Sequence, residues 1–219
     1  MNTYMPKIRI KERPIYYFIP ALIVLTILAV YPILNNVSLS LTNKSGAFSL
    51  ANYQRLFKDK WFWNAMLNTG KWALFTVSME MVVGMTMAFL MNMRLKGQSL
   101  FRSLLIIPWM TPVIAICAVW KWMYNNDFGI LTYAINTAFG THLTFLSDYN
   151  IALYCLGIIY VWKRAPFIML MYLSGMQSIS EDVYEAAELD GCRGFKRLTQ
   201  ITLPLLFPII RSLMLISLI

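Results

Sequence analysis

Charged residues are scarce in this chain of 219 residues. They make up 13% of the sequence, whereas hydrophobic residues make up 58%. Soluble domains carry about 25% charged residues, so this chain has too few to cover a water-facing surface. The scarcity argues against a soluble enzyme, a disordered protein or a nucleic-acid-binding protein, and it predicts an integral membrane protein. The net charge of +9 then reflects basic residues outside the apolar stretches, where they set membrane topology.

Residues suited to catalysis or metal binding are also few. The sequence has one histidine, His142, and no His-Glu-x-x-His pattern, and its three cysteines form no Cys-x-x-Cys pair. It also lacks the Gly-x-x-x-x-Gly-Lys-Ser/Thr loop that binds nucleotide phosphates. We therefore predict no catalytic residue, no bound metal and no cofactor, with any ATP hydrolysis on a separate chain.

Long apolar stretches predict the fold class. A spanning helix needs about 20 mostly apolar residues, and four stretches reach this length: 15–41, 66–93, 101–124 and 150–173. The third contains Pro108 and Pro112, which predict a kink within one span. A fifth run begins near Leu203 and ends with the sequence. We predict an all-α polytopic transmembrane helix bundle, over residues 15–219, that is truncated within its fifth span.

The basic residues predict the orientation of these spans. Lys7, Arg9, Lys11 and Arg13 precede the first span, and no cleavage site follows it. Residues 1–14 are therefore predicted to be a cytoplasmic tail. Segments assigned to the inside on this basis hold about twice as many Lys and Arg residues as the outer segments.

Two connections are predicted to lie outside. In the connection 42–65, four large side chains share one helical stripe: Tyr53, Leu56, Phe57 and Trp61. This pattern predicts an amphipathic helix on the membrane surface. The connection 125–149 is rich in turn-forming residues.

The predicted inner loop 178–204 differs from the rest of the chain because it is acidic. It holds five of the ten acidic residues: Glu181, Asp182, Glu185, Glu188 and Asp190. Ser178 has capping-box spacing to Glu181, Ser180 is an alternative N-cap, and Gly191 is placed to end the helix. A second short helix would then carry Phe195 and Leu198 on one side. Composition alone leaves two readings open, a docking element and an ordinary amphipathic connector.

A spacing pattern in this loop resembles a family signature. Glu185-Ala186-Ala187 is followed by Asp190-Gly191 and, after nine more residues, by Ile201-x-Leu203-Pro204. This arrangement resembles the permease subunits of binding-protein-dependent ABC importers, and sugar permeases of the maltose type most closely. Further stretches carry the same resemblance: Tyr31-Pro32, Asn52-Tyr53, Trp120-Lys121-Trp122 and Asp127-Phe128-Gly129.

The resemblance implies a function and a set of partners. It implies an inner-membrane permease subunit of an ATP-driven importer for a sugar, such as an oligosaccharide, or a similar solute. The implied partners are a dimer of ABC ATPase subunits that binds the ATP, a second permease and an extracytoplasmic solute-binding protein. By resemblance, the loop 178–204 couples to the ATPase through Glu185, Ala186, Ala187, Asp190 and Gly191. The alternative is an ATP-independent secondary transporter or channel subunit, which would need no such loop.

Charges inside the predicted spans are candidates for the substrate pathway. A charge in the bilayer is costly and usually faces protein or a water-filled cavity. Glu80 and Arg164 are the two residues we assign to the pathway, and a structural pair of Glu80 with Lys163 or Arg164 is the alternative. Lys71 and Arg211 are weaker candidates, because long side chains near helix ends reach the interface.

Overall fold

The computed structural model describes residues 15–43, 45–93 and 96–219. The predicted tail 1–14 lies outside them. The chain divides into two units, residues 1–65 and 66–219. The helices are α1 (Ile15–Leu25), α2 (Tyr31–Ser40), α3 (Ala51–Lys58), α4 (Lys60–Asn92), α5 (Gln98–Met110), α6 (Val113–Met123), α7 (Ile130–Phe139), α8 (Tyr149–Gln177), α9 (Glu181–Leu189), α10 (Gly194–Arg197) and α11 (Leu203–Leu218).

The first unit contains one long apolar helix. A π-helical turn, Thr26–Val30, joins α1 to α2, and the stretch Tyr17–Ser40 is long and apolar enough to cross a membrane. The turn lies just before Pro32, whose missing N–H already interrupts the hydrogen-bond ladder. At the end of α2, the Asn52 side chain donates to the carbonyls of Ser40 at 3.2 Å and Thr42 at 3.0 Å. These bonds satisfy carbonyls that a helix end leaves unpaired.

The predicted amphipathic helix is present but shorter than its stripe. Helix α3 covers Ala51–Lys58 and ends at Asp59, so Trp61 belongs to the start of α4, where it is exposed. The prediction that Trp61 belongs to the same amphipathic helix as Tyr53, Leu56 and Phe57 was therefore wrong. Trp63, two residues further, folds back and donates through its indole N–H to the carbonyl of Phe57 at 3.0 Å.

Helix α8 is the centre of the second unit. Helices α5 and α11 pack against it, and its side chains supply most of the buried cluster. This cluster comprises Ala88, Met91, Ile168, Met169, Tyr172, Leu173, Met176, Leu206 and Leu213. Helix α8 is therefore the element of this unit against which α5 and α11 are positioned.

Small residues bring α4 close to α8. Glu80, Gly84 and Ala88 recur every four residues, and all three are buried, so they lie along one face of α4. A Cβ atom at Gly84 would lie 2.6 Å from Ile168 Cγ2 and 3.2 Å from the backbone nitrogen of Met169. Small side chains at this spacing permit the close backbone approach that is typical of membrane helices.

The third predicted span is broken rather than kinked. Helices α5 and α6 meet at an angle of 92° across Thr111 and Pro112, so the kink predicted within the span 101–124 is instead a break between two helices. Thr111 has the extended conformation, with ψ at 134°, which the ring of a following proline favours.

The last span begins earlier than predicted. Helix α10, a π-helical turn over Leu198–Thr202 and helix α11 form one continuous helical stretch, Gly194–Leu218, of 25 residues. The separate second helix predicted in the inner loop was therefore wrong, because it forms the first turns of this span. Within the described residues, four helices are long and apolar enough to cross a membrane, or five if α5 and α6 count as one broken span.

Candidate functional site

The acidic loop between α8 and α11 forms a short exposed helix. Helix α9 runs over Glu181–Leu189, with Ser180 at the N-cap position in an extended conformation. Glu185 and Ala186 are exposed, whereas Ala187 is only 5% exposed. The alternative N-cap was therefore the correct one, although the Ser180 side chain makes no capping hydrogen bond. Ser178 instead ends α8, where its hydroxyl donates to the carbonyl of Gly175.

The apolar residues of α9 are only partly buried. Ala187 is covered, but Leu189 is 89% exposed and Val183 is 38% exposed. The helix therefore contacts its own chain through a small residue and presents acidic, small and apolar side chains together.

The turn after α9 uses the predicted glycine. Asp190 follows the last helical residue and Gly191 has a φ of +72°, the left-handed conformation that ends many helices. The next amide, that of Cys192, donates to the carbonyl of Ala187 at 2.8 Å. Two residues later Gly194, with a φ of +56°, starts the stretch that leads into α11. The turn thus fixes the angle between α9 and the last span.

Side-chain contacts fasten α9 to the beginning of the last span. The Arg197 guanidinium lies over the Tyr184 ring, 5.3 Å from its centroid. Arg193 forms an ion pair with Glu188 at 2.9 Å, but both side chains are mostly exposed and such pairs contribute little. The contact between Tyr184 and Arg197 is therefore the stronger candidate for a mechanical link between α9 and α11.

The structure places Glu80 and Arg164 together. Arg164 Nε lies 3.6 Å from Glu80 Oε2, and the Glu80 side chain is fully buried. Neither carboxylate oxygen has a hydrogen bond within the described residues. Arg164 is 26% exposed, and its guanidinium also lies 5.9 Å from the Tyr160 ring centroid and 5.5 Å from that of Phe167. In this conformation the Arg164 side chain is partly exposed, whereas the Glu80 side chain is not exposed.

An open, largely apolar cavity lies between α6 and α8. Its volume is about 300 Å³. The lining is apolar except for two lysines, and it comprises Trp72, Val113, Ile116, Cys117, Trp120, Lys121, Tyr124, Leu146, Leu156, Ile159, Tyr160 and Lys163. Sequence alone assigned no aromatic residue to a substrate pathway, because aromatic side chains are frequent throughout the chain. Lys71 lines an adjoining cleft, and Arg211 is exposed on α11.

Comparison with known proteins places these features in a family. Residues 80–219 match the family described as "Binding-protein-dependent transport system inner membrane component". The chain belongs to this family. The matched range includes Glu80, Arg164 and all of α9, and the resemblance that the Glu-Ala-Ala spacing indicated is thereby confirmed.

Two curated relatives are transport permeases. The chain is 31% identical over 217 residues to the trehalose/maltose transport system permease protein MalF of Thermococcus litoralis, covering 95% of this chain and 74% of that protein. It is 33% identical over 196 residues to the sulfoquinovosyl glycerol transport system permease protein SmoG of Agrobacterium fabrum, covering 86% of this chain and 64% of that one. The chain thus spans about two thirds to three quarters of these binding-protein-dependent permeases.

Solved structures confirm the fold class. A crystal structure of a bacterial ABC transporter involved in the import of the acidic polysaccharide alginate superimposes with a TM-score of 0.83 at 19% identity. The match covers 93% of this chain and 71% of that one. This likeness establishes the all-helical permease fold for the described spans.

Proposed function

We propose that this chain is a permease subunit of an ATP-driven ABC importer that carries a sugar across the inner membrane. The observation that carries the proposal is α9, a short acidic helix that lies exposed at the end of α8 and leads directly into α11. Family membership supports it, and the names of two relatives refer to sugar-containing solutes.

Helix α9 would be the docking element for a separate ATPase subunit. Its exposed Glu185 offers a negative charge to a basic groove, and the small exposed Ala186 lets a partner backbone approach. Asp190 and Gly191 fix the following turn, while Ala187 anchors the helix to its own chain. Movement of the ATPase would then reach the last span through the contact between Tyr184 and Arg197. Binding and hydrolysis of ATP would take place on the partner chain.

The assembly we propose follows the family pattern. A second permease would complete the pathway, and an extracytoplasmic binding protein would deliver the solute from outside. The connections 125–148 and 178–193 lie at opposite ends of α8, so they would face opposite sides of the membrane. The α9 side would be cytoplasmic, as would the N-terminus.

The substrate pathway would run along α8. Arg164 is a partly exposed charge there, and Glu80 would be a positioning residue that holds Arg164 through its charge. The cavity of about 300 Å³ beside α6 offers the faces of Trp72, Trp120 and Tyr160, and such faces can stack on sugar rings. A sugar substrate is therefore consistent with the lining as well as with the relatives.

A charge reversal at Glu185 tests the coupling role. In the full-length protein purified from its native membrane, Glu185→Lys is expected to reduce the ATPase that co-purifies by tenfold or more, because it opposes a basic groove. Insertion and the amount of permease should not change, since the side chain is exposed. The measurement is quantitative mass spectrometry of the purified complex.

Asp127→Lys is the matched control for this experiment. Asp127 is also exposed and acidic, but it lies in the connection at the opposite end of α8. It should leave ATPase recovery within twofold of wild type. Equal ATPase recovery with Glu185→Lys would refute the docking role, and recovery of the permease without any ATPase in all three proteins would favour an ATP-independent carrier.

Truncation of Tyr160 tests the cavity. The Tyr160 ring lines the cavity and makes an edge contact with Trp72 at 5.6 Å. Tyr160→Ala is expected to raise the KM of sugar uptake at least fivefold, measured with a panel of labelled mono- and disaccharides in proteoliposomes. The control is Tyr133→Ala on α7. The Tyr133 side chain is 73% exposed and does not line this cavity. A KM that does not change with Tyr160→Ala would remove this cavity from the pathway.

A further inference from the structure

Lys163 makes an unusual set of contacts for a lysine within a membrane-spanning helix. Its Nζ donates to the carbonyl of Thr111 at 2.8 Å and to that of Trp109 at 3.2 Å. Within the described residues, no carboxylate lies within 4 Å of this ammonium group, since Glu80 pairs with Arg164. The partners of Lys163 are therefore backbone carbonyls on another helix.

These carbonyls are the ones that the break between α5 and α6 leaves without helical partners. Helix α5 ends at Met110, Thr111 is extended, and α6 starts after Pro112. A helix end leaves its last carbonyls unpaired and carries partial negative charge there. In a membrane such groups must be satisfied by protein. Lys163 donates hydrogen bonds to two of these carbonyls. It also places a positive charge at the C-terminal end of α5, where the helix dipole is negative.

Aromatic contacts place both arms of the broken span on α8. The Trp109 ring stacks on Phe167, with 5.6 Å between centroids, one helical turn beyond Lys163. On the other arm, Trp120 makes an edge contact with Trp162 at 5.5 Å. Lys163 therefore lies between the two aromatic contacts, at the point where the span changes direction.

We propose that Lys163 is a positioning residue that holds the span formed by α5 and α6 in its bent form, so that α6 lines the cavity. Pro112 and Lys163 act together. The proline removes one amide and disfavours a helical Thr111, and the lysine stabilises the carbonyls that a straight helix would pair internally. Loss of Lys163 alone removes the stabilisation of the bend but leaves the proline restriction.

The angle between the arms can be measured by pulsed electron paramagnetic resonance. Spin labels would replace the exposed residues Leu100 on α5 and Trp122 on α6, after the three free cysteines are changed to alanine. A right-angled break places these positions about 23 Å apart, whereas a straight helix of the same length places them about 33 Å apart. The sample is the assembled transporter, with its partner subunits, in lipid nanodiscs.

The expected distances separate the contribution of Lys163 to the bend from that of Pro112. Wild type, Lys163→Arg and Pro112→Ala should give one narrow distribution at the short distance, because each retains a cation at position 163. Lys163→Met should give a distribution at least twice as broad, and the double variant Lys163→Met/Pro112→Ala should populate the long distance. Lys121→Met is the control, because it removes a lysine that lines the same cavity and should not change the distribution.

Several results would overturn the proposal. A narrow short distance in both Lys163→Met and the double variant would show that the lysine does not hold the bend. A long distance in Pro112→Ala alone would show that Lys163 does not hold the bend when the proline is absent, and this variant tests the point even if Lys163→Met does not assemble. These distances do not depend on which solute is carried or on ATP coupling, so failure of the proposed function would be seen separately, in uptake assays.

Discussion

Replacing Arg164 with methionine is expected to destabilise the protein more than any other single change on α8. The substitution leaves the Glu80 carboxylate fully buried without its cation, and neither of its oxygens has a hydrogen bond within the described residues. Removing one partner of a buried ion pair costs about 3–5 kcal/mol. The measurement is the fraction of monodisperse protein that remains after heating in detergent, and the half-loss temperature should fall clearly below that of wild type.

The double variant Glu80→Met/Arg164→Met separates the cost of an unpaired charge from the loss of packing. Replacing both partners by apolar residues of similar size is often neutral or stabilising, so the double variant should recover most of the heat resistance. Sugar uptake should not recover together with heat resistance, because the positive charge of Arg164 would still be absent. Two results would contradict this account: wild-type stability of Arg164→Met, or a double variant as unstable as the single one.

The ion-pair partner of Glu80 could not be predicted from the sequence alone. The sequence allowed Glu80 to pair with Lys163 or with Arg164, because both cations occupy the same turn of a predicted span. Adjacent residues on a helix point about 100° apart, so the rotation of α8 decides between them. That rotation is set by the packing of α5 and α11 against α8, and these contacts join residues distant in sequence.

The break between α5 and α6 was missed for a similar reason. Prolines inside a membrane span are compatible with a kink and with a complete break, so Pro108 and Pro112 did not distinguish them. The hydrogen bonds that stabilise the break come from Lys163, about fifty residues further along the chain. Local sequence could therefore predict an irregularity in this span but not its angle.

Local chemistry predicted the turn after α9 correctly but not the extent of the next helix. Gly191 has the left-handed conformation expected of it, because that preference belongs to glycine itself. The beginning of the last span was placed near Leu203 because apolar residues become continuous there and Pro204 follows. The helix instead begins at Gly194 and continues into α11 through the π-helical turn Leu198–Thr202. Hydropathy does not indicate where a π-helical turn occurs.

Replacing Gly84 with alanine is the second substitution that we expect to reduce the stability of the protein strongly. The added Cβ would lie 2.6 Å from Ile168 Cγ2 and 3.2 Å from the backbone of Met169, so α8 itself has to move. Overpacking of a tight contact costs about 1–3 kcal/mol. Gly70→Ala on the same helix is the matched control, because nothing lies within 4 Å of its Cβ position. It should be neutral or stabilising, since alanine favours the helix over glycine by roughly 1 kcal/mol.

The Gly84 substitution should also weaken the ion pair, because Gly84 lies one helical turn from Glu80 on the same face of α4. Moving α8 away from α4 would separate Glu80 from Arg164, which are already 3.6 Å apart. Gly84→Ala and Arg164→Met should therefore act on the same contact, and their combined loss of stability should be smaller than the sum of the two. Heat resistance of the two single variants and the double variant measures this coupling. Strict additivity would show that the close approach at Gly84 and the pairing of Glu80 are independent features of the interface between α4 and α8.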